Sequence, residues 1–292
     1  MRILVLGGDG MFGHQFFKYA RDRHDVRVTL RQDLPAYQEY SLFDASNAYT
    51  GIDVRSLGRL VEVLADFRPE AIVNGVGIVK QRRTASDSIP SLEINSLLPH
   101  RLAELARATG ARLVHLSTDC VFSGSRGMYR EEELPDAYDL YGKSKYLGEV
   151  AGPGALTLRT SIIGPELSRK KSLLEWFLAQ RGPVQGFRRA VFSGFTTLEL
   201  SKITENLLVN HPQAQGLYQV SSEPIDKYTL LQLIAAHYRL DTVITEDQAV
   251  QIDRSLDSTR FRQEFGYTPP SWDEMVAEMA AEHLYRTRPV ES

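Results

Sequence analysis

Cysteine is nearly absent: among 292 residues there is one, Cys120. No intrachain disulfide and no cysteine-based zinc site can form, which suits a reducing compartment. Long apolar runs are missing as well. None reaches the ~18–20 residues that a membrane span needs, and the N-terminal apolar stretch at residues 2–6 runs straight into glycines, unlike a signal peptide. There is no excess of positive charge: 34 Lys and Arg against 37 Asp and Glu give a formal net charge of −3. That argues against a broad electrostatic grip on nucleic acid but leaves room for a small anion site. The seven histidines show no H-x-x-x-H or comparable metal spacing, and His115, in mid-strand, reads as a satisfied core residue. A cytoplasmic protein without membrane insertion, nucleic acid or metal is the expectation.

What is present is ordinary globular composition, with 42% hydrophobic and 24% charged residues. At roughly 150 residues per domain, the length suits one large domain or two coupled ones, with a substantial core and no staples. Short β-forming runs at 2–6, 26–30, 71–73, 112–116 and 156–159 alternate with helical spacing at 12–21, 57–67, 97–108 and 141–150. Such alternation predicts an α/β fold, a doubly wound parallel sheet with ligands at the carboxyl ends of its strands. After Gly164 the rhythm changes. Helices are expected at 172–180, 198–209, 228–238 and 272–285, a strand at 216–220 and a loop at 181–189. The chain thus divides into residues 1–163 and a smaller lobe, 164–292, some of whose elements return to the first.

Gly7, Gly10 and Gly13 form G-x-x-G-x-x-G between a predicted strand and a predicted helix. Glycine permits a tight turn, close backbone approach to a pyrophosphate and tight helix–strand contact. The free N–H groups at the helix start, at Met11, Phe12 and Gly13, then bind the anion. The 2′ position of a nicotinamide cofactor is read just after the second strand, where an acid favours NAD(H) and an arginine accommodates the 2′-phosphate of NADP(H). Arg31 stands there and favours NADP(H), with Asp33 as its competitor.

Tyr141 and Lys145 are spaced i, i+4 and share a helix face. An ammonium beside a phenol favours the phenolate and lowers its pKa from about 10, so the phenol can exchange a proton with a developing alkoxide near neutral pH. Thr118, at the end of the 112–116 strand segment, can hydrogen-bond the same substrate oxygen.

These residues resemble the extended short-chain dehydrogenase/reductases and, more narrowly, the dTDP-4-dehydrorhamnose reductase group. The match runs through residues 7–14 (GGDGMFGH), Val73-Asn74, Asn95, 116–122 (LSTDCVF), 141–149 (YGKSKYLGE), 158–160 (LRT), 256–260 (LDSTR) and 270–272 (PSW). The resemblance implies a Rossmann-type domain, a nicotinamide cofactor and a nucleotide-linked 4-keto-6-deoxysugar substrate, used for cell-surface polysaccharide precursors. It implies that Tyr141 protonates the ketone oxygen, that Lys145 holds the nicotinamide ribose and tunes Tyr141, and that Thr118 binds the carbonyl. It also places Asp53 and Val54 near the adenine, and Asn74, Gly75 and Val76 along the cofactor.

The sequence departs from that group in places. Residues 75–80 read GVGIVK where small residues are usual. Cys120 stands where these reductases commonly carry Tyr. Asp119-Cys120 replaces the Asp-Glu pair of sugar-nucleotide dehydratases, which argues against that reaction. GDP-fucose synthases share a cysteine at the Cys120 position, but Val184 occupies the place of their partner histidine. Trp176 could stack on a nucleotide base, Arg188 could clamp a diphosphate, and Thr196 lies in a segment loosely matching the group's Gly-x-Pro-Thr. Asp119 and Cys120 complete the candidate substrate contacts. Two alternatives stay open: an epimerase, alone or coupled to reduction, and a non-catalytic NADP-binding regulatory subunit. A homodimer is a further expectation.

Overall fold

The computed structural model describes residues 1–79 and 87–282. In chain order these residues form β1 (Arg2–Leu6), α1 (Met11–Ala20), β2 (Asp25–Thr29), β3 (Ala48–Tyr49), α2 (Leu57–Phe67), β4 (Ala71–Asn74), α3 (Ser88–Ser91), a π-turn over Leu92–Leu97, α4 (Leu98–Thr109), β5 (Arg112–Leu116), α5 (Leu140–Leu147) and β6 (Ala155–Arg159). The second half adds β7 (Ile162–Ile163), α6 (Leu173–Leu178), β8 (Val184–Phe187), β9 (Ala190–Phe192), β10 (Phe195–Thr196), α7 (Thr197–Asn210) and β11 (Gly216–Gln219). It continues through β12 (Ile225–Asp226), α8 (Lys227–Tyr238), β13 (Ile244–Asp247), β14 (Ile252–Asp253), α9 (Thr259–Phe265) and α10 (Trp272–Ala281).

Seven strands form one sheet in the order β11-β6-β5-β4-β1-β2-β3, every pair parallel. The α/β doubly wound expectation holds. Parallel strands need crossovers, and these place helices on both faces. Ile3 and Val5 therefore point into one apolar layer with Phe12, Phe16 and Phe17 of α1, while Leu4 and Leu6 point into the other with Leu60 and Leu64 of α2 and Leu102 of α4. The strand order reverses between β1 and β4, which opens a crevice at their carboxyl ends.

The second half does not stand apart from this sheet. β11 pairs with β6, and α7 packs on α1. Phe195, Leu200, Leu207 and Trp272 join the same buried layer as Ile3 and Phe16. The segment expected to be a loop at 181–189 contains β8, which pairs with β13; its Gly and Pro content hid a strand whose partner lies some sixty residues downstream. α5 stops at Leu147 rather than at 150, and the Gly148 that follows is pressed against the π-turn, where a Cβ would lie 1.9 Å from the Asn95 carbonyl oxygen. Lys80 and residues 283–285, both named above, lie outside the described residues.

Candidate active site

β1 must turn into α1 within four residues. Gly7 adopts φ +80°, a left-handed value that costs glycine little. The Gly10 N–H donates to the Gly7 carbonyl (3.0 Å), and the Gly7 N–H to Thr29 Oγ1 (3.1 Å). A Cβ on Gly13 would lie 2.1 Å from the Gly7 carbonyl oxygen, so only glycine lets α1 start this close to the strand. Gly10 is the N-cap; no side chain caps this end and its first turn has no acid. The leading N–H groups of Met11, Phe12 and Gly13 lack intrahelical acceptors and could take an anion. The Phe12 ring is buried and stacks on Phe16, so this residue offers a ligand its backbone alone.

Just past β2, Arg31 is exposed, and among the described residues its guanidinium makes no hydrogen bond or ion pair. Its charge reaches Asp53, whose carboxylate is held chiefly by Arg55 (Nη2 to Oδ2 2.5 Å) and falls to about 2. Val54 packs partly buried against the α2 side of the core. At the end of β4, Asn74 accepts the Val76 N–H (3.1 Å) and donates to His115 Nδ1 (3.0 Å). That arrangement sets Gly75 and Val76 against the turn; Val76 Cγ2 is 3.0 Å from where a Gly7 Cβ would be. Burial holds His115 well below the usual imidazole range, so it stays neutral. These residues could hold a dinucleotide, with the free N–H groups of α1 suited to its pyrophosphate and the exposed Arg31 to a ribose phosphate.

Thr118, Tyr141 and Lys145 converge beyond β5. Thr118 and Tyr141 are hydrogen-bonded through their side chains, and Thr118 Oγ1 also accepts the Cys120 N–H (3.1 Å). Lys145 is buried and donates from Nζ to the Leu116 carbonyl (2.6 Å). The expected lowering of the phenol is not what the structure gives. Burial, reinforced by Cys120, pushes Tyr141 well above the ordinary phenol range, against the opposing Thr118 hydrogen bond. The ammonium is committed to a carbonyl, and desolvation lowers it to about 8 against the opposing charge of Glu149. Tyr141 is therefore held as a neutral acid, able to give a proton to an alkoxide.

Two buried devices hold these groups, and sequence reasoning had quoted their residues without a role. Asn95, within the π-turn, accepts the Ile78 N–H (2.9 Å) and donates to the Ile78 carbonyl (3.0 Å) and to Ser144 Oγ (3.1 Å). Glu149 meets Arg159 in a two-pronged buried pair (2.7 Å each) and accepts the Ser117 hydroxyl (2.7 Å). That pair fixes the end of β5 beside Lys145.

The expected substrate residues separate. Asp119 and Cys120 follow Thr118 directly, and burial raises Asp119 against the opposing charge of Arg254. Trp176 is exposed on α6 while its neighbour Phe177 is core, so only the former is open to a base. Thr196 is fully buried and caps α7 through the Glu199 N–H (3.3 Å); it is a helix cap, not a substrate contact. Arg188 is exposed and is engaged by Thr229 (2.8 Å) and Asp226 (3.5 Å). Val184 is a buried strand residue. Sequence reading missed Lys227 and Arg254, which reach the Thr118–Cys120 turn from far downstream and carry no local motif.

Among the described residues there is no cluster that could hold a metal ion and no helix long and apolar enough to cross a membrane. The chain is 28% identical over 174 residues to methionine adenosyltransferase 2 subunit beta of Bos taurus, covering 58% of this chain and 48% of that protein. It thus spans about half the length of these relatives. It is 23% identical to dTDP-4-dehydrorhamnose reductase of Aggregatibacter actinomycetemcomitans, covering 96% of this chain and 98% of that protein. The crystal structure of dTDP-4-dehydrorhamnose reductase from Bacillus anthracis in complex with NADP superposes with a TM-score of 0.77 at 19% identity, over 95% of this chain and 98% of that one. A family model described as the RmlD substrate binding domain matches residues 1–285. With a glycine turn at the switch point of a parallel sheet and a Thr–Tyr–Lys set beside it, the chain belongs to the RmlD substrate binding domain family.

Proposed function

We propose that this chain is an NADPH-dependent reductase of a nucleotide-activated 4-keto-6-deoxysugar, working in the cytoplasm to supply precursors of cell-surface polysaccharide. Residues 1–163 would bind the cofactor and residues 164–292 mainly the sugar nucleotide. One observation carries the reading: a protonated Tyr141, hydrogen-bonded to Thr118, stands at the same sheet edge as a glycine turn shaped for pyrophosphate. The full-length reductase relative and the NADP-bound neighbour support it.

The glycine turn and α1 N–H groups would hold the pyrophosphate, Arg31 the 2′-phosphate and Lys145 the ribose hydroxyls of a nicotinamide cofactor, which when bound would supply the hydride for the ketone carbon. Thr118, whose hydroxyl donates to Asp119 Oδ1 (3.1 Å), would turn it to the carbonyl oxygen and orient that oxygen. Tyr141 gives its phenolic proton to that oxygen as negative charge develops there. Lys145, titrating near 8, supports the phenolate electrostatically until solvent restores the proton. Asn95 and Glu149 keep both groups in register.

The test is NADPH oxidation with dTDP-4-keto-6-deoxyglucose and its UDP and GDP analogues, comparing wild type with Tyr141→Phe. Turnover that collapses in the variant supports the reading; no oxidation with any of them refutes it. A second reading, a nucleotide-binding subunit of another enzyme, is favoured by the likeness to methionine adenosyltransferase 2 subunit beta. Tight NADPH binding without turnover, together with a stable complex with a catalytic subunit, would establish it instead. Exposed Leu97, Tyr146 and Leu147 on adjoining helices support a homodimer, which light scattering after size exclusion tests.

A further inference from the structure

The reaction described above makes no use of Lys227. This residue opens α8, whose cap is Asp226 through the Thr229 N–H (2.9 Å). Its Nζ stands 3.7 Å from the centroid of the Phe192 ring. The residue is half-buried. Among the described residues its ammonium has no hydrogen bond and no ion pair. Asp119 and Cys120 are near enough for their charge to act on it. Asp119, however, also answers the charge of Arg254, which is fixed by the carbonyls of Phe122 (3.0 Å) and Ser123 (3.2 Å). One carboxylate thus faces two cations.

An enclosed ammonium without a hydrogen-bonding partner is costly to keep. A lysine at a helix start would ordinarily extend into water; this one lies over an aromatic ring beside the reacting turn. The cation–π contact offsets part of the cost but leaves the N–H donors unused. Arg188, the side chain expected to grip an anion, is tied to Asp226 and Thr229.

We propose that Lys227 is a substrate-binding residue whose ammonium takes an anionic phosphate oxygen of the nucleotide sugar, beside Cys120. The inference rests on the reductase reading for the identity of the ligand, but not for the existence of the cation site.

Cys120 is the only cysteine in the chain, so its alkylation reports on this corner of the cleft. Full-length protein saturated with NADP⁺ is treated with iodoacetate, which is anionic, and with iodoacetamide, which is neutral. In wild type the nearby cation draws in the anionic reagent. The iodoacetate-to-iodoacetamide rate ratio is expected to fall at least threefold in Lys227→Met and to be retained in Lys227→Arg, with NADP⁺ affinity unchanged in both. Pyrophosphate that slows the reaction of wild type but not of Lys227→Met assigns the phosphate. Protection by UDP-glucuronate but not by pyrophosphate would overturn the phosphate assignment. In turnover, Lys227→Met is expected to raise KM more than tenfold while kcat moves less than threefold. A rate ratio equal in wild type and Lys227→Met overturns the proposal, as does a changed ratio with no protection by any of these anions. Absence of turnover in wild type would count against the reductase reading alone, since the alkylation ratio judges Lys227 by itself.

Discussion

Gly13→Ala tests whether the first turn is built around a dinucleotide phosphate. The new methyl would start 2.1 Å from the Gly7 carbonyl oxygen, more than 1 Å inside ordinary contact, which begins at 3.4 Å. The Gly7 carbonyl carbon at 2.9 Å and Gly8 Cα at 3.1 Å are backbone too, so nothing can swing aside. α1 must slide off the strand as a unit and disturb Phe12, Phe16 and Phe17 beneath it. Overpacking of this kind costs about 1–3 kcal/mol. A slide of about 1 Å also carries N–H donors out of the 2.7–3.2 Å range of a good hydrogen bond. Each such bond to a charged group is worth about 1.5–3 kcal/mol, so losing even one weakens NADPH binding ~10- to ~150-fold. Titration of NADPH fluorescence and a thermal melt read both effects. Gly58→Ala is the control. It lies in α2 with nothing within 4 Å of the new methyl, and should gain about 0.5–1 kcal/mol at unchanged affinity. A Gly13→Ala protein that binds NADPH within twofold of wild type and melts at the same temperature would refute the reasoning.

Three further outcomes follow from the buried charges. Lys145 titrates near 8 in the folded protein and near 10.4 when unfolded. The unfolded chain therefore holds more protons between those values, and stability should rise with pH across that window. Urea midpoints at pH 8 and 9.5 should show a shallower rise in Lys145→Met, and an identical slope would contradict the assignment. Burial lowers His14 to about 4, so the unfolded state binds more protons between about 4 and 6.5. Stability is lost as pH falls through that range, by about 3 kcal/mol in all; His14→Gln should flatten the loss seen by denaturation at pH 7 and 4.5. Arg159 and Glu149 have side-chain exposures of only 4% and 5%, so Arg159→Met strands a buried carboxylate. The expected cost is about 3–5 kcal/mol by chemical denaturation, and a cost below about 1 kcal/mol would show the pair to be dispensable.

The legible parts of this chain are those whose signal is local. β1, α2 and β5 fall within the bounds that hydrophobic spacing predicts, 2–6, 57–67 and 112–116. The glycine turn and the i, i+4 Tyr141–Lys145 pair are likewise short-range patterns. The two-residue strands β3, β7, β10, β12 and β14 are too short to carry a period; distant partners define them. β8 is the same case, with Gly186 wedged under Tyr228, where a Cβ would be 2.8 Å from Tyr228 Cα. At the site, Thr196 and Arg188 have the right chemistry for ligands but are taken by a helix cap and an acidic neighbour. Lys227 has the look of a solvated helix start, and only the tertiary fold brings it to Cys120. The direction of the Tyr141 shift was illegible for a related reason: proximity in a helix says nothing about which acceptor the lysine chooses or how dry the phenol is.

The π-turn has a mechanical consequence. Through one amide, Asn95 grips both backbone polar groups of Ile78 and the hydroxyl of Ser144, while Ser144 Oγ donates to the Tyr141 carbonyl (2.9 Å). The extra residue in that turn acts as a rivet between the rim beside β4 and the helix bearing the phenol. The segment after β4 and the helix bearing Tyr141 are thereby tied to each other through one buried amide.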